Sequence, residues 1–270
     1  MSATLLTIDN TFATARISLF GAQMLGFCPK RDGRERLFLS SKALLDGSKS
    51  IRGGVPICWP WFGAYKGTST AAGLPAHGYA RTRRWQLAKL VELAEGTEVV
   101  LELADAGGPG FDGKAELQLV IKVGEKLSME LVTRNTGSVP FPLSAALHTY
   151  FLIDDIRAAQ VKGLSGTYSD KTQNWALLPT PLTYRFNSQT DRIHLEKPAL
   201  LELVSTNRVI TIESSGHDSV VVWNPWEDGS KSFVDLAPDD YQHFACIETA
   251  LTQGFELLPG QQHHLQQTIS

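Results

Sequence analysis

The chain has little cysteine: Cys28, Cys58 and Cys246 are the only three. They are odd in number and far apart, which excludes a secreted disulfide framework and a CxxC zinc arrangement and favours a reducing cytosol. An excess of charge of one sign is also missing. With 25 Lys+Arg against 28 Asp+Glu the net charge is -3, so there is no broad basic field for nucleic acid or an anionic membrane. No stretch approaches the roughly 18 apolar residues of a membrane span. The start, Met1 to Asn10, has no basic n-region and carries Asp9 where a signal's apolar segment would have to continue. Long helical patterns are scarce, which argues against a βαβ architecture. No fixed-period repeat occurs, and glycine and proline are spread out instead of concentrated in a linker. These absences predict a cytoplasmic enzyme or binding protein with no nucleic-acid or membrane partner, built as one domain over 1–270.

What is present is an ordinary globular composition, 43% hydrophobic and 20% charged over 270 residues, with apolar content for one large core. Period-two alternation and β-branched clusters predict strands at Thr14–Phe20, Glu98–Leu103, Glu116–Val123, Leu127–Thr133, Ala199–Val204, Arg208–Glu213, Ser219–Trp223 and Phe244–Thr249. Val123 to Leu127 reads as a hairpin and Ser214 to Asp218 as another turn. Short helical stretches are expected at Ser40–Leu45 and after Phe233. The fold class is mainly β, a large antiparallel β-sandwich. Arg52–Trp85, dense in glycine, proline and aromatics, lacks a periodic strand; a loop of that length is usually functional or disordered, and its aromatics predict order.

Two segments set one titratable side chain each inside an apolar, strand-like run, where an unpaired ionisable group costs several kcal/mol. In Leu143 to Phe151, His148 falls on the face away from Leu143, Ala145 and Leu147. With a pKa near about 6.5 it could donate a proton at neutral pH, or it could be a satisfied core or edge histidine. In Phe244 to Ala250, Glu248 is the only charged residue, and its same-face neighbours Cys246 and Ala250 are small enough to leave room for a ligand. Its alternative is a structural salt bridge.

Arg52-Gly53-Gly54-Val55-Pro56 puts a guanidinium beside two glycines, which suits an anion because arginine matches phosphate with a donor fork and glycine lacks the Cβ that would hold a ligand away. A tight turn with a solvated arginine is the alternative. His77-Gly78-Tyr79-Ala80-Arg81 follows in the same loop. Arg81 could complete a phosphate clamp, and His77 could orient a sugar hydroxyl or simply bond the loop backbone. Arg83 and Arg84 read as surface groups. Asp191 sits in a polar segment where a loop or cap carboxylate is the default. Trp223 could be a sugar platform or core. His263 and His264 point to opposite faces of a strand, so no metal site is assigned.

Arg52-Gly53-Gly54-Val55-Pro56, Leu74 to Arg81, Leu147-His148-Thr149-Tyr150-Phe151, Asp191, Val222-Trp223-Asn224-Pro225 and Ile247-Glu248-Thr249 together, in this order along nearly the whole chain, resemble the hexose-6-phosphate mutarotases of the aldose 1-epimerase superfamily. The resemblance implies a galactose-mutarotase-like sandwich, a phosphosugar bound on a concave sheet face, exchange of the α and β anomers of a hexose 6-phosphate, no cofactor, and a monomer. Position by position it implies His148 as general acid, Glu248 as general base, Arg52 and Arg81 on the phosphate, and His77 and Asp191 as ligand contacts. Ala76 stands where some relatives carry Gln, which leaves the choice among glucose, galactose and mannose 6-phosphates open. Ring opening and closure by such a pair predicts a bell-shaped pH profile with limbs from Glu ionisation and His deprotonation. Three rival readings are an epimerase of unphosphorylated aldoses, a non-catalytic carbohydrate-binding module, and a glycosidase using Asp191 and Glu248 as paired carboxylates.

Overall fold

A computed structural model describes residues 4–67 and 73–270. In chain order the strands are β1 (Leu5–Asp9), β2 (Ala13–Ser18), β3 (Gln23–Pro29), β4 (Ile57–Cys58), β5 (Gln86–Leu93), β6 (Gly96–Leu103), β7 (Ala115–Val123), β8 (Leu127–Asn135), β9 (Phe141–Leu147) and β10 (Tyr150–Leu152). They continue as β11 (Gln160–Lys162), β12 (Thr167–Asp170), β13 (Ala176–Pro179), β14 (Tyr184–Arg185), β15 (Thr190–His194), β16 (Leu200–Ser205), β17 (Arg208–Ser215), β18 (Ser219–Asn224), β19 (Phe244–Leu257) and β20 (Gln262–Ile269). All eight strands predicted from alternation form, each within two residues of its expected limits except β19, which runs on to Leu257.

Two large antiparallel sheets make the sandwich. One has the order β14-β11-β16-β17-β20-β8-β7-β6-β5; the other runs β13-β12-β15-β18-β19-β9-β4, with β10 also paired to β19. A small sheet β1-β2-β3 lies outside both. The main core forms where alternate residues of the two sheets meet: Leu119, Ile121, Met129 and Leu131 from the first, Ala145, Leu147, Val220, Val222, Ala245 and Ile247 from the second. Because side chains alternate across a strand, the residues between these point to the opposite face of the second sheet. There Tyr150, Phe244 and Cys246 pack with Phe38 and Leu236, and Cys58, Ala146, Val221 and Ala250 form a separate small-residue patch. His148 and Glu248 lie between the two patches.

The β7–β8 hairpin closes at Val123 and Leu127 as expected, and the Ser214 to Asp218 turn carries the chain from one sheet to the other. The expected helix at Ser40–Leu45 does not form: the segment is turn and irregular chain. The Ser40 hydroxyl donates to Asp240 (2.6 Å) and accepts from the Lys42 N–H (3.2 Å), a local bond that competes with a helix too short to nucleate alone. Turns follow Phe233, with a 3-10 turn at Asp240–His243, and one helical turn, unanticipated, forms at Trp226–Ser230.

The long Arg52–Trp85 segment is largely irregular, as expected, although its residues 68–72 lie outside those described. Its path is fixed by close backbone packing. Gly53 and Gly54 have φ of 114° and 60°, and a Cβ on either would run into the backbone of Phe38–Leu39 or Met24–Leu25. The space they open is thus filled by protein chain and not by a ligand. The buried Gln23 amide donates to Ile51 O (3.0 Å) and Gly53 O (2.6 Å), bracing the backbone on both sides of Arg52.

Candidate active site

Strand register brings the acid and base candidates together. Leu147 is paired with Thr249 and Tyr150 with Cys246, which leaves His148 opposite Glu248 at the break between β9 and β10. His148 Nε2 lies 3.3 Å from Glu248 Oε1. The carboxylate is 1% exposed and the imidazole 10%, and their other polar atoms, His148 Nδ1 and Glu248 Oε2, have no hydrogen-bond partner among the described residues. Burial lowers the His148 pKa well below 6.5 and raises that of Glu248 well above 4.5. The expectation of a histidine near its ordinary value is therefore corrected. Each group is pushed by its burial toward its uncharged form.

Aromatic rings wall the pair. Tyr150 stacks on His148 at 5.0 Å with an interplanar angle of 13°, and Trp223 meets it edge-on at 5.8 Å. Trp223 is half-buried and packs against Phe244 and Phe233, so it serves partly as core and partly as wall. His77 completes the group, its ring 5.9 Å from that of His148. The Gly63 N–H donates to His77 Nδ1 (3.3 Å), which puts the neutral ring's own proton on Nε2. Burial and the Arg81 charge hold its pKa down to about 3, so it stays neutral and offers a donor.

Asp191 on β15 is paired in register with Trp223 of β18, which is paired with Cys246 of β19. It is close enough that its charge adds to burial in raising the Glu248 pKa. The arginines approach from the loops. Arg52 donates through Nε to Asp235 (3.1 Å) and through Nη1 to the Tyr150 hydroxyl (3.0 Å), with its guanidinium 4.6 Å over the Phe233 ring. Its Nη2 makes no hydrogen bond among the described residues. Arg81 donates to the carbonyl of Ala76 (2.7 Å), a backbone contact that does not depend on the side chain at position 76. Both arginines are near enough to lower the His77 and His148 pKa values. Arg83 and Arg84 turn elsewhere, to Gly107 O and Thr4 Oγ1. His263 packs on Phe255 while His264 pairs with Glu130 at 2.8 Å, on opposite faces as expected.

The aldose 1-epimerase family profile matches residues 4–270. The chain is 33% identical over 251 residues to a protein of Escherichia coli K12 named "Putative glucose-6-phosphate 1-epimerase", covering 91% of this chain and 82% of that one. The chain belongs to the aldose 1-epimerase family. The crystal structure of a "putative mutarotase" from Salmonella typhimurium superposes with a TM-score of 0.90 at 31% identity, covering 99% of this chain and 90% of that chain. A galactose mutarotase-like protein from Lactobacillus casei, 16% identical and covering 99% of each chain, shares the fold with a TM-score of 0.76. As a member of this family the chain is an epimerase, an isomerase of sugars.

Three residues beside this candidate site were not singled out from the sequence. Tyr150 was visible within the Leu147 to Phe151 motif, but nothing in its spacing said that it would link His148 to Arg52. Asp235 lies in a loop on the far side of the chain. Lys171 donates to Asp191 Oδ2 (2.8 Å) and lowers the pKa of both His77 and Glu248; an exposed lysine after a short strand carries no signal in one sequence. A cavity of about 560 Å³ lined by His217, Asp218, Gln253 and His263 contains none of these residues.

Proposed function

We propose that the chain exchanges the α and β anomers of a hexose 6-phosphate, glucose 6-phosphate first, with Glu248 and His148 as the base and acid. The observation that carries this reading is the buried His148–Glu248 pair at 3.3 Å, each partner keeping one unpartnered polar atom. A structural salt bridge would have its remaining atoms satisfied, because orphaned buried polar atoms cost free energy. The names carried by the Escherichia coli relative and others at 30–33% identity support the phosphorylated substrate.

A pair carrying one proton suits the reaction. In its ionic form the Glu248 carboxylate takes the proton of the C1 hydroxyl while the His148 imidazolium protonates the ring oxygen. The C1–O5 bond breaks and a C1 aldehyde forms. After rotation about C1–C2, protonated Glu248 returns its proton to the carbonyl oxygen as neutral His148 takes the proton from the O5 hydroxyl, which attacks the other face of C1. The ionic form is restored with atoms and charge balanced. The burial that favours Glu-COOH with neutral imidazole lowers the energy of the closing arrangement, and Arg81 and Lys171 favour the carboxylate of the opening one.

Arg52 and Arg81 take the 6-phosphate in this reading, Arg52 through the guanidinium edge left by Asp235 and Tyr150. Neutral His77 donates to a sugar oxygen and Asp191 accepts from a hydroxyl. The chain acts as one domain and as a monomer in the cytoplasm. The test is NMR or polarimetric exchange between α- and β-glucose 6-phosphate, with free glucose as control. Exchange well above buffer and poor for free glucose supports the proposal. Equal rates on both sugars would return the reading to an unphosphorylated aldose, and no acceleration would return it to a binding module.

A further inference from the structure

On β20 the residues directed into the sandwich are Leu265, Gln267 and Ile269. An amide thus stands where alternation calls for an apolar side chain, and it is 0% exposed within a core of Leu, Ile and Met. Its partners are specific. Gln267 Oε1 accepts from the Thr149 hydroxyl (2.5 Å), and Nε2 donates to the Thr249 hydroxyl oxygen (2.8 Å) and to Ile247 O (3.2 Å). The Thr249 hydroxyl continues to Ser214 Oγ (2.7 Å). Thr149 follows His148, and Ile247 and Thr249 flank Glu248.

The backbone shows why an amide is needed there. Hydrogen-bonded residues of an antiparallel ladder exchange two bonds, but Thr149 and Ile247 keep one: the Ile247 N–H donates to Thr149 O (3.3 Å), while the Thr149 N–H turns back to Leu147 O (3.0 Å). That turn, centred on His148, interrupts the ladder and leaves Ile247 O without its cross-strand donor. Gln267 Nε2 supplies it from the other sheet.

We infer that Gln267 is a positioning residue which, from behind the sheet, holds the broken ladder at the separation that keeps His148 Nε2 3.3 Å from Glu248 Oε1. This rests on the reading of those two residues as the acid and base. Thr149 and Thr249 are its two handles, so the spacing between acid and base is set by a residue that touches neither substrate nor the pair.

The test replaces Gln267 with Met, close in volume and unable to hydrogen-bond, and compares Thr149→Val with Thr149→Ser, which keeps the hydroxyl. Misplacement of reacting groups by about 1 Å can cost roughly a hundredfold; the expected result for Gln267→Met is a kcat on glucose 6-phosphate about ten- to a hundredfold lower per folded molecule, with KM nearly unchanged. The bell of the pH profile should narrow as the loosened pair moves toward ordinary values. Thr149→Ser should retain the activity that Thr149→Val loses. A folded Gln267→Met protein with lower Tm but wild-type kcat and pH limbs overturns the inference and leaves a purely structural amide. If that variant does not fold, equal kcat for Thr149→Val and Thr149→Ser overturns it. His148→Ala and Glu248→Gln run alongside: their full activity would sink the acid–base reading itself, a result distinct from failure of the positioning role alone.

Discussion

The two large sheets differ in what they do with the face turned away from the sandwich. The sheet containing β7 presents Glu116, Gln118 and Lys122 to solvent, in strict alternation with buried Ala115, Leu117, Leu119, Ile121 and Val123. The sheet containing β19 buries both faces at its centre: every residue from Phe244 to Leu251 is inside. Water solvates charges on the first outer face at little cost. On the second, burial at the centre makes a charge costly, and the carboxyl that β19 places there sits against a histidine with one oxygen unpartnered among the described residues. The same alternation that builds a solvated outer face in one sheet sets a histidine and a carboxyl with strongly perturbed pKa values side by side in the other.

The largest effect expected from this contrast is on exchange of glucose 6-phosphate anomers. Glu248→Gln and His148→Ala should each lower kcat by about 10²–10⁴-fold, the usual worth of general acid–base help. Gln118→Ala on the opposite sheet should leave the rate unchanged and stability within about 0.5 kcal/mol. Comparable losses in both sheets, measured on folded protein, would show that the buried face has no special role.

Next in size is recognition of the phosphate. A charge-assisted hydrogen bond is worth about 1.5–3 kcal/mol, so replacing Arg52 and Arg81 by Met should reduce the preference for glucose 6-phosphate over glucose by roughly 10²-fold or more. Arg52→Met also strips Asp235 and Tyr150 of a partner, so its Tm should fall further than that of Arg81→Met. A preference unchanged in the double variant would assign the phosphate to other groups.

Burial also has a stability consequence with a definite sign. The folded-state pKa of Glu248 is raised, so folded protein keeps a proton that unfolded chain gives up above about pH 4.5. Stability from this position is present below that pH and lost as pH rises toward the folded value. Glu248→Gln removes the titration and should therefore be more stable than wild type at pH 8, with a smaller gap at pH 5. Each kcal/mol gained would appear as roughly 2–4 °C in Tm. A gap independent of pH would mean that the carboxylate is ionised in the fold.

Legibility from sequence followed the same division. Strands with one solvated face, such as β7, β8, β16 and β17, were marked by alternation. So was β19, since its charge stood out against an apolar run. The short strands β4, β10 and β12 to β15 were not marked, because two to five residues carry no period and their positions depend on neighbours. His148, Glu248, Arg52, Arg81, His77 and Asp191 could be singled out, and the fold gathers them around one pair. What could not be read were partners set by register and loop packing: Tyr150 beneath the imidazole, Asp235 on Arg52, Lys171 on Asp191, and Gln267 behind the ladder. The order of the pH limbs was hidden as well, since it depends on burial.

The smallest effect is the sharpest probe of that order. With one proton on the pair, adding a second charges His148, whose pKa is lowered, and removing the first ionises Glu248, whose pKa is raised. Shifts in these directions are expected to give the acid limb to His148 and the alkaline limb to Glu248, the reverse of the assignment that ordinary values would give. Asp191 raises the Glu248 pKa and Lys171 lowers it. Asp191→Asn should accordingly move the alkaline limb of kcat to lower pH, and Lys171→Met should move it to higher pH. The Lys171–Asp191 pair is half in solvent on the lysine side, so both shifts should shrink as salt is added. Opposite movement of the alkaline limb in the two variants ties it to Glu248. Shifts confined to the acid limb would return the carboxylate to the ordinary range and the alkaline limb to the histidine.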